Sequence, residues 1–92
     1  MSWTLYRTET FLATARKFFR RHPELEPEFA DLLTQLQENP AAPRLRLHPL
    51  KGEHQGKRAV SLTYSFRVVL TLEVKGKRII LLDIGNHDEV YR

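Results

Sequence analysis

Cysteine is absent from this sequence of 92 residues, and so is any long apolar run. Without thiols the chain forms neither disulfides nor thiolate metal sites, as is typical of proteins in a reducing cytoplasm. The longest uninterrupted apolar segments are residues 68–70 and 79–82, whereas a membrane span needs about 20 such residues. The first seven residues also lack the apolar segment of a signal peptide. We therefore predict a cytoplasmic protein without a membrane partner.

The familiar catalytic and metal-binding motifs are missing as well. The sequence has no phosphate-binding or dinucleotide-binding glycine pattern and no His-Glu-x-x-His. Its four histidines are scattered, and the carboxylates of Asp83, Asp88 and Glu89 do not have the spacing of metal ligands. We therefore predict no metal site and no cofactor.

Length, composition and charge favour one small basic domain that spans residues 1–92. With 41% hydrophobic and 28% charged residues, the chain lies in the globular range. Its net charge of +4 is unevenly distributed: residues 1–23 carry +4, residues 24–38 carry −5 and residues 39–92 carry +5. A basic body with one acidic helix favours a polyanionic partner on one face, and charge that serves only solubility is the alternative.

Hydrophobic residues with helical spacing predict two helices in the first half of the chain. The first follows a potential N-cap at Thr8 and ends at His22-Pro23, and the second begins near Glu26 and ends at Asn39. The short connection predicts an antiparallel hairpin. The apolar stripes consist of Phe11, Leu12, Ala15, Phe18 and Phe19 in the first helix and Leu25, Phe29, Leu32, Leu33 and Leu36 in the second.

Alternation of polar and apolar residues predicts strands on both sides of this hairpin. The predicted strands are residues 3–6, 44–48, 59–63, 66–74 and 79–84, with a loop over 49–56 and a turn at Lys75-Gly76. On the long strand, one face carries Phe66, Val68, Leu70, Leu72 and Val74, and we expect the helices to pack there. The order β-α-α-β-β-β(-β) predicts an α+β fold, in which an antiparallel sheet has the helical hairpin packed on one face.

Most basic side chains that bear on function lie in the second half of the sequence. Arg67 interrupts an otherwise apolar and β-branched strand, on the face opposite the predicted helices, and His87 and Tyr91 follow the last strand. We expect the basic residues between positions 44 and 58 to reach that face. They are Arg44, Arg46, His48, Lys51, His54, Lys57 and Arg58. A sheet face of this composition can bind a phosphodiester backbone and stack bases.

These residue types suffice for RNA cleavage without a metal. The 2′-hydroxyl is an internal nucleophile of RNA. Cleavage then needs a base for its proton, a cation for the phosphorane oxygens and an acid for the leaving 5′-oxygen. Imidazole titrates near neutrality and suits either proton role, and guanidinium stays charged and suits the middle one.

Each of these residues also has a purely structural interpretation. Arg67 could pair with Glu73 or with another neighbouring acid. The histidines could be solvated loop residues, Tyr91 could be a packing aromatic, and the lysines could be ordinary surface charges.

Four segments of the sequence resemble the RelE/ParE superfamily of bacterial toxins. They are Leu50-Lys51-Gly52, Gly56-Lys57-Arg58, residues 66–70 and residues 84–91. With the predicted element order, the likeness covers nearly the whole chain and is strongest to the mRNA-cleaving RelE, YoeB and YafQ types. The resemblance implies the RelE-like microbial RNase fold. It also implies a type II toxin–antitoxin toxin, an mRNA interferase, whose partners are a cognate antitoxin, mRNA and the ribosome.

The resemblance also implies roles for individual residues. Arg67 matches the arginine that stabilises the scissile phosphate, and His87 matches a histidine that transfers a proton. Tyr91 matches the terminal aromatic that stacks on or orients the substrate, and His48 matches a histidine before the loop in YafQ-like members. Lys51 and Arg58 match cations on the RNA backbone. Together with the charge pattern, this predicts RNA contacts from Arg44, Arg46, Lys51, Lys57 and Arg58.

The sequence departs from the YafQ-like pattern at two positions. Ser61 and Ser65 align with a histidine and an aspartate of that group. His48 is therefore our candidate base and His87 our candidate acid, and the two roles could be exchanged. Two other functions stay open: a ParE-like toxin that inhibits DNA gyrase by binding, and an inactive member that only binds its antitoxin. An imidazole at position 87 together with Arg67 favours the nuclease.

Overall fold

Residues 2–91 fold into five strands and three α-helices. A computed structural model describes residues 2–91, with the backbone alone for Tyr91. The strands are β1 (Thr4–Arg7), β2 (His48–Pro49), β3 (Arg58–Ser61), β4 (Phe66–Glu73) and β5 (Arg78–Asn86). The helices are α1 (Glu9–Arg21), α2 (Glu26–Glu38) and α3 (His87–Tyr91). None of these helices in residues 2–91 is long and apolar enough to cross a membrane.

The strands form one sheet in the order β1-β5-β4-β3-β2. β1 runs parallel to β5, and the other neighbouring pairs are antiparallel. A β-bulge at Leu82 shifts the register between β4 and β5, because Val69 faces Asp83 whereas Leu70 faces Leu81. The predicted α+β fold with a mainly antiparallel sheet is confirmed.

Thr8 fixes both the start of α1 and its position on the sheet. Its hydroxyl oxygen accepts a hydrogen bond from the N–H of Phe11 at 3.0 Å and donates one to the carbonyl oxygen of Leu81 at 3.0 Å. The first bond pairs a backbone donor that a helix start otherwise leaves unsatisfied. The second ties the same residue to β5, so the predicted N-cap is confirmed and has a tertiary role.

α1 and α2 cover one face of the sheet, as the apolar stripes predicted. Phe11, Leu36 and Leu70 are at most 1% exposed and belong to the main core. Phe18 of α1 meets Phe66 of β4 edge to face, with ring centroids 5.0 Å apart. The helical hairpin therefore packs on the face that carries Phe66 and Leu70, and the odd-numbered residues at the start of β4 lie on the other face.

That other face has a small apolar cluster of its own. Its buried members are Leu50, Ala59, Val69 and Val90, with Leu82 partly buried beside them. Val90 comes from α3, so this helix packs against the sheet on the side opposite α1 and α2. The sequence pattern did not predict this second layer, because a single short helix offers too few apolar positions for periodicity to be visible.

The strand predicted over residues 44–48 is wrong apart from His48. Pro43–Leu45 forms a 3-10 turn, and Arg46 has a left-handed backbone with a φ of 55°. Proline favours the first position of a helical turn, and a left-handed residue ends an extended backbone. Leu45 is buried all the same, so the alternation of apolar residues here reflects a turn that inserts a leucine into the core.

The two long strands end at different residues than predicted. Val74 belongs to the turn after β4 and is 70% exposed, so it is not part of the apolar face. β5 continues past Ile84 to Asn86, and the following residues form α3, a helix that the predicted element order did not contain.

Candidate active site

Arg67 lies on the face of β4 that α1 and α2 leave uncovered. Its neighbours Phe66 and Val68 both pack into the main core, so the alternation of the strand directs residue 67 to the other side. Its direct partners across the sheet are Ser61 on β3 and Gly85 on β5. Ser61, the position where YafQ-like toxins are expected to carry a histidine, is thus next to Arg67.

Carbonyl oxygens hold the guanidinium of Arg67. Its Nη1 donates to the carbonyl oxygens of Tyr64 at 3.2 Å and Thr63 at 3.4 Å, in the turn between β3 and β4, and to that of Phe66 at 3.5 Å. No carboxylate in residues 2–91 forms an ion pair with it. The positive charge is therefore oriented without being neutralised, which suits an anion-binding group.

The alternative that Arg67 pairs with Glu73 is wrong. The carboxylate of Glu73 forms an ion pair with Arg78 at the far end of the β4–β5 hairpin. This contact raises the pKa of Arg78, mainly through the coulombic attraction of Glu73. Arg67 and Arg78 thus have different environments on the same hairpin.

His87 is the first residue of α3, directly after β5. Asn86 faces Phe66 and Gly85 faces Arg67, so His87 follows two residues beyond the direct partner of Arg67. Its side chain is 74% exposed, and its Nδ1 lies 3.8 Å from a carboxylate oxygen of Asp88. Arg67 and His87 therefore lie at the same end of neighbouring strands, and neither is enclosed in the core.

His48 lies on the same sheet face as Arg67, two strands away. It pairs with Ala59, which pairs in turn with Val69, and Val69 is two residues from Arg67 on β4. Its Nδ1 lies 2.8 Å from the carbonyl oxygen of Arg46. This contact favours the tautomer with a proton on Nδ1, in which Nε2 carries the lone pair that a general base needs.

The predicted RNA-binding cations fall into two groups. Lys51 and Lys57 of the loop between β2 and β3, and Arg58 at the start of β3, line a cavity of about 540 Å³. Arg58 pairs with Leu70 of the main core, so the alternation of β3 directs it to the side of α1 and α2 and not to the face of Arg67. This loop turns at Gly52 and Gly56, whose φ angles of 68° and 91° favour glycine. It closes through a hydrogen bond of 2.9 Å from the N–H of Leu50 to the carbonyl oxygen of Lys57.

Arg46 and Arg44 stand apart from this loop. Arg46 is exposed, just before β2, and its carbonyl oxygen contacts His48. Arg44 lines a smaller cavity of about 210 Å³ together with Glu28 and Asp31 of α2. The acidic side chains of α2 reduce the positive potential around Arg44, so it does not form one basic surface with Lys51 and Lys57.

The role predicted for Tyr91 concerns a side chain that lies outside the part the structure describes. Two other features of this region were not predicted from the sequence. Tyr64, in the turn that Arg67 contacts, is 96% exposed. Asn86 and Glu89 form a reciprocal pair of hydrogen bonds at the start of α3. The signal for that pair was in the sequence, because a capping residue followed three positions later by glutamate is typical of a capping box.

Comparison with solved structures shows which known fold this arrangement shares. YafQ from Escherichia coli BL21(DE3) superposes with a TM-score of 0.81 and 17% identity, covering 98% of this chain and 99% of that one. A YoeB/ParE toxin from Agrobacterium tumefaciens gives 0.73 and 22%, covering 91% and 98%. The toxin–antitoxin complex RelBE2 from Mycobacterium tuberculosis gives 0.72 and 20%, covering 95% and 100%.

The chain has the RelE/YoeB/YafQ-like toxin fold. The resemblance seen in the sequence is thereby confirmed at the level of the fold, over nearly the full length of both chains. No family model matches the sequence, and no curated protein matches it. A shared fold carries many functions, so the activity of this chain depends on its own side chains.

Proposed function

We propose that this protein is the toxin of a toxin–antitoxin pair and that it cleaves mRNA at the surface around Arg67. The observation that carries the proposal is that Arg67 and His48 lie on the same face of the sheet, and that His87 follows the end of β5, the strand next to that of Arg67. Arg67 is oriented by backbone carbonyls and has no carboxylate partner in residues 2–91. One cation between two imidazoles is the minimum set for cleavage by the 2′-hydroxyl.

In this mechanism the nucleophile comes from the RNA itself. His48, through Nε2, takes the proton of the 2′-hydroxyl, and the 2′-oxygen forms a bond to phosphorus. Arg67 binds the non-bridging oxygens as negative charge develops on them. The bond from phosphorus to the 5′-oxygen then breaks, and His87 gives a proton to that oxygen. The products are a 2′,3′-cyclic phosphate and a 5′-hydroxyl, and the two histidines exchange roles if the substrate binds in the opposite sense.

In this proposal the RNA backbone runs along the loop between β2 and β3, residues 50–57, which we call the basic loop. Lys51 and Lys57 lie together beside β2 and β3 and supply positive charge without base recognition. Contact of Arg58 with RNA stays a prediction, because this residue pairs with Leu70 on the helix-covered side of the sheet. Arg46, which lies apart from this loop and next to His48, is proposed as a further cation, and Tyr91 is proposed to stack on a base. Contact of Arg44 with RNA stays a prediction, made from a position next to the acidic helix α2.

The test is cleavage of a single-stranded RNA by the purified chain in the presence of EDTA. We expect products with 2′,3′-cyclic phosphate ends, and no product from the same RNA with a single 2′-deoxy nucleotide at the cleaved position. Cleavage of the deoxy substrate would contradict the mechanism. A parallel assay with translating ribosomes decides whether the ribosome is the natural site of action.

The cellular test separates the proposal from its alternatives. Expression of the chain should stop growth and produce cut transcripts, and co-expression of the antitoxin should restore growth. RelBE2, which shares the fold, is a toxin–antitoxin complex and supports the expectation of such a partner. A DNA-damage response with intact transcripts would instead indicate a gyrase inhibitor, and unimpaired growth would indicate an inactive member.

A further inference from the structure

The segment that carries His87 is fixed by two reciprocal hydrogen bonds. The backbone N–H of Asn86 donates to Oε1 of Glu89 at 2.8 Å, and the backbone N–H of Glu89 donates to Oδ1 of Asn86 at 2.8 Å. These bonds pair backbone donors at the start of α3. His87 and Asp88 are the two residues between the partners, so the backbone of His87 is enclosed in this ring of hydrogen bonds.

Glu89 also connects α3 to two other parts of the fold. Its second carboxylate oxygen, Oε2, accepts a hydrogen bond of 3.2 Å from Arg21 at the end of α1. Its Oε1 and Cβ lie 2.8 Å and 3.0 Å from where a Cβ on Gly85 would be. Any side chain at position 85 would displace Glu89, so a glycine opposite Arg67 is what allows the carboxylate to reach its position.

A helix as short as α3 does not hold its shape alone. Its five residues are far fewer than the number that an isolated helix needs in water. The side chain of His87 is 74% exposed and lies outside the core. The backbone segment that carries this imidazole is held by the Asn86–Glu89 hydrogen bonds and by Val90, which packs in the second apolar cluster.

We infer that Glu89 is a positioning residue, which holds His87 where it can give a proton to the leaving group at Arg67. This inference rests on the proposed ribonuclease function. The hydrogen bond between Oε1 and the N–H of Asn86 is the essential contact. The ion pair with Arg21 is secondary, because the Arg21 side chain is 65% exposed and ion pairs at the surface contribute little.

Three variants separate these contacts. Glu89→Ala removes both, Glu89→Gln keeps an acceptor for the N–H of Asn86 but cannot accept from Arg21, and Arg21→Ala removes the ion pair alone. We expect Glu89→Ala to lower kcat by about tenfold to a hundredfold with little change in KM, as displaced catalytic groups do. Glu89→Gln and Arg21→Ala should stay within about fivefold of the wild type. Glu73→Gln, in the ion pair at the far end of the hairpin, is the matched control.

Rescue by glutamine distinguishes positioning from direct proton transfer. If Glu89 itself moved a proton, Glu89→Gln would be as inactive as Glu89→Ala and would lose one limb of the pH–rate profile. That outcome would overturn the inference, and so would full activity of Glu89→Ala.

Amide hydrogen exchange tests the same contact without RNA. The N–H of Asn86 should exchange faster in Glu89→Ala than in the wild type and Glu89→Gln, while amides of β4 stay protected. Equal exchange in all three would overturn the inference. A wild-type chain that cleaves no RNA would contradict the proposed function, and the exchange measurement would still decide whether Glu89 fixes the segment of His87.

Discussion

Arg67 and Gly85 lie directly opposite each other on β4 and β5. The pairing brings the candidate phosphate-binding group to the end of the strand from which His87 continues. Gly85 has no side chain, and the space beside it is occupied by Glu89. Through this one cross-strand pair, the strand of Arg67 lies beside the segment that carries His87 and Glu89.

Arg67 is expected to contribute far more to activity than to stability. Arg67→Ala should reduce RNA cleavage by about a hundredfold or more, because the developing charge on the phosphate loses its cation. Arg67→Lys should restore only part of it, since an ammonium lacks the planar fork of guanidinium. The loss of contacts to the turn should lower the free energy of unfolding by about 1 kcal/mol. Arg78→Ala is the control on the same hairpin, and equal cleavage by Arg67→Ala and Arg78→Ala would contradict the site.

The two histidines should affect opposite limbs of the pH–rate profile. A base must be deprotonated, so His48→Gln should remove the limb on which activity rises with pH. An acid must be protonated, so His87→Gln should remove the limb on which activity falls as pH rises further. Rates measured on a short RNA from pH 5 to 9 check this. The reverse result would make His87 the base and His48 the acid, and both would remain in the site. Profiles identical to the wild type in both variants would exclude both histidines.

The basic loop should determine the salt dependence of RNA binding. Each phosphate contact that is lost should reduce the slope of log K against log salt by about 0.7 for a single strand. We expect Lys51→Ala and Lys57→Ala to show this reduction with a 2′-deoxy-blocked RNA, measured by fluorescence anisotropy. Lys75→Ala, in the exposed turn after β4, should leave the slope unchanged. A slope that changes equally in all three variants would indicate unspecific charge.

Thr8 should be a major determinant of stability outside the core. Thr8→Ala removes the cap on Phe11 and the hydrogen bond to Leu81 together. We expect a loss of about 1–2 kcal/mol in the free energy of unfolding, at the upper end for an N-cap. Urea denaturation measures it, with the exposed Thr10→Ala as the control. Thr8→Ser should retain most of the stability, and a cost below that of Thr10→Ala would show that the cap is unimportant.

The local structure of the first half was predictable because its signals are local. Thr8, the apolar stripes and Asn39 determine where the helices begin and end through contacts within one or two turns. The long strand of residue 67 was predictable for the same reason, because alternation with period two needs only its own residues. The strand predicted from Arg44 was wrong, since a turn and a strand place alternate leucines inward equally well.

The sequence by itself determined that one strand presents Arg67 away from the helices. It also determined that His48 comes before the loop that leads to β3 and that His87 follows the last strand. Only the tertiary structure decided how they lie relative to one another. Strand order and register place Gly85 beside Arg67 and His48 on the same face as Arg67, and Val90 packs the last helix against the sheet. These contacts join residues far apart in the chain, and the free energy that selects them comes from burial summed over the whole fold, which no local pattern records.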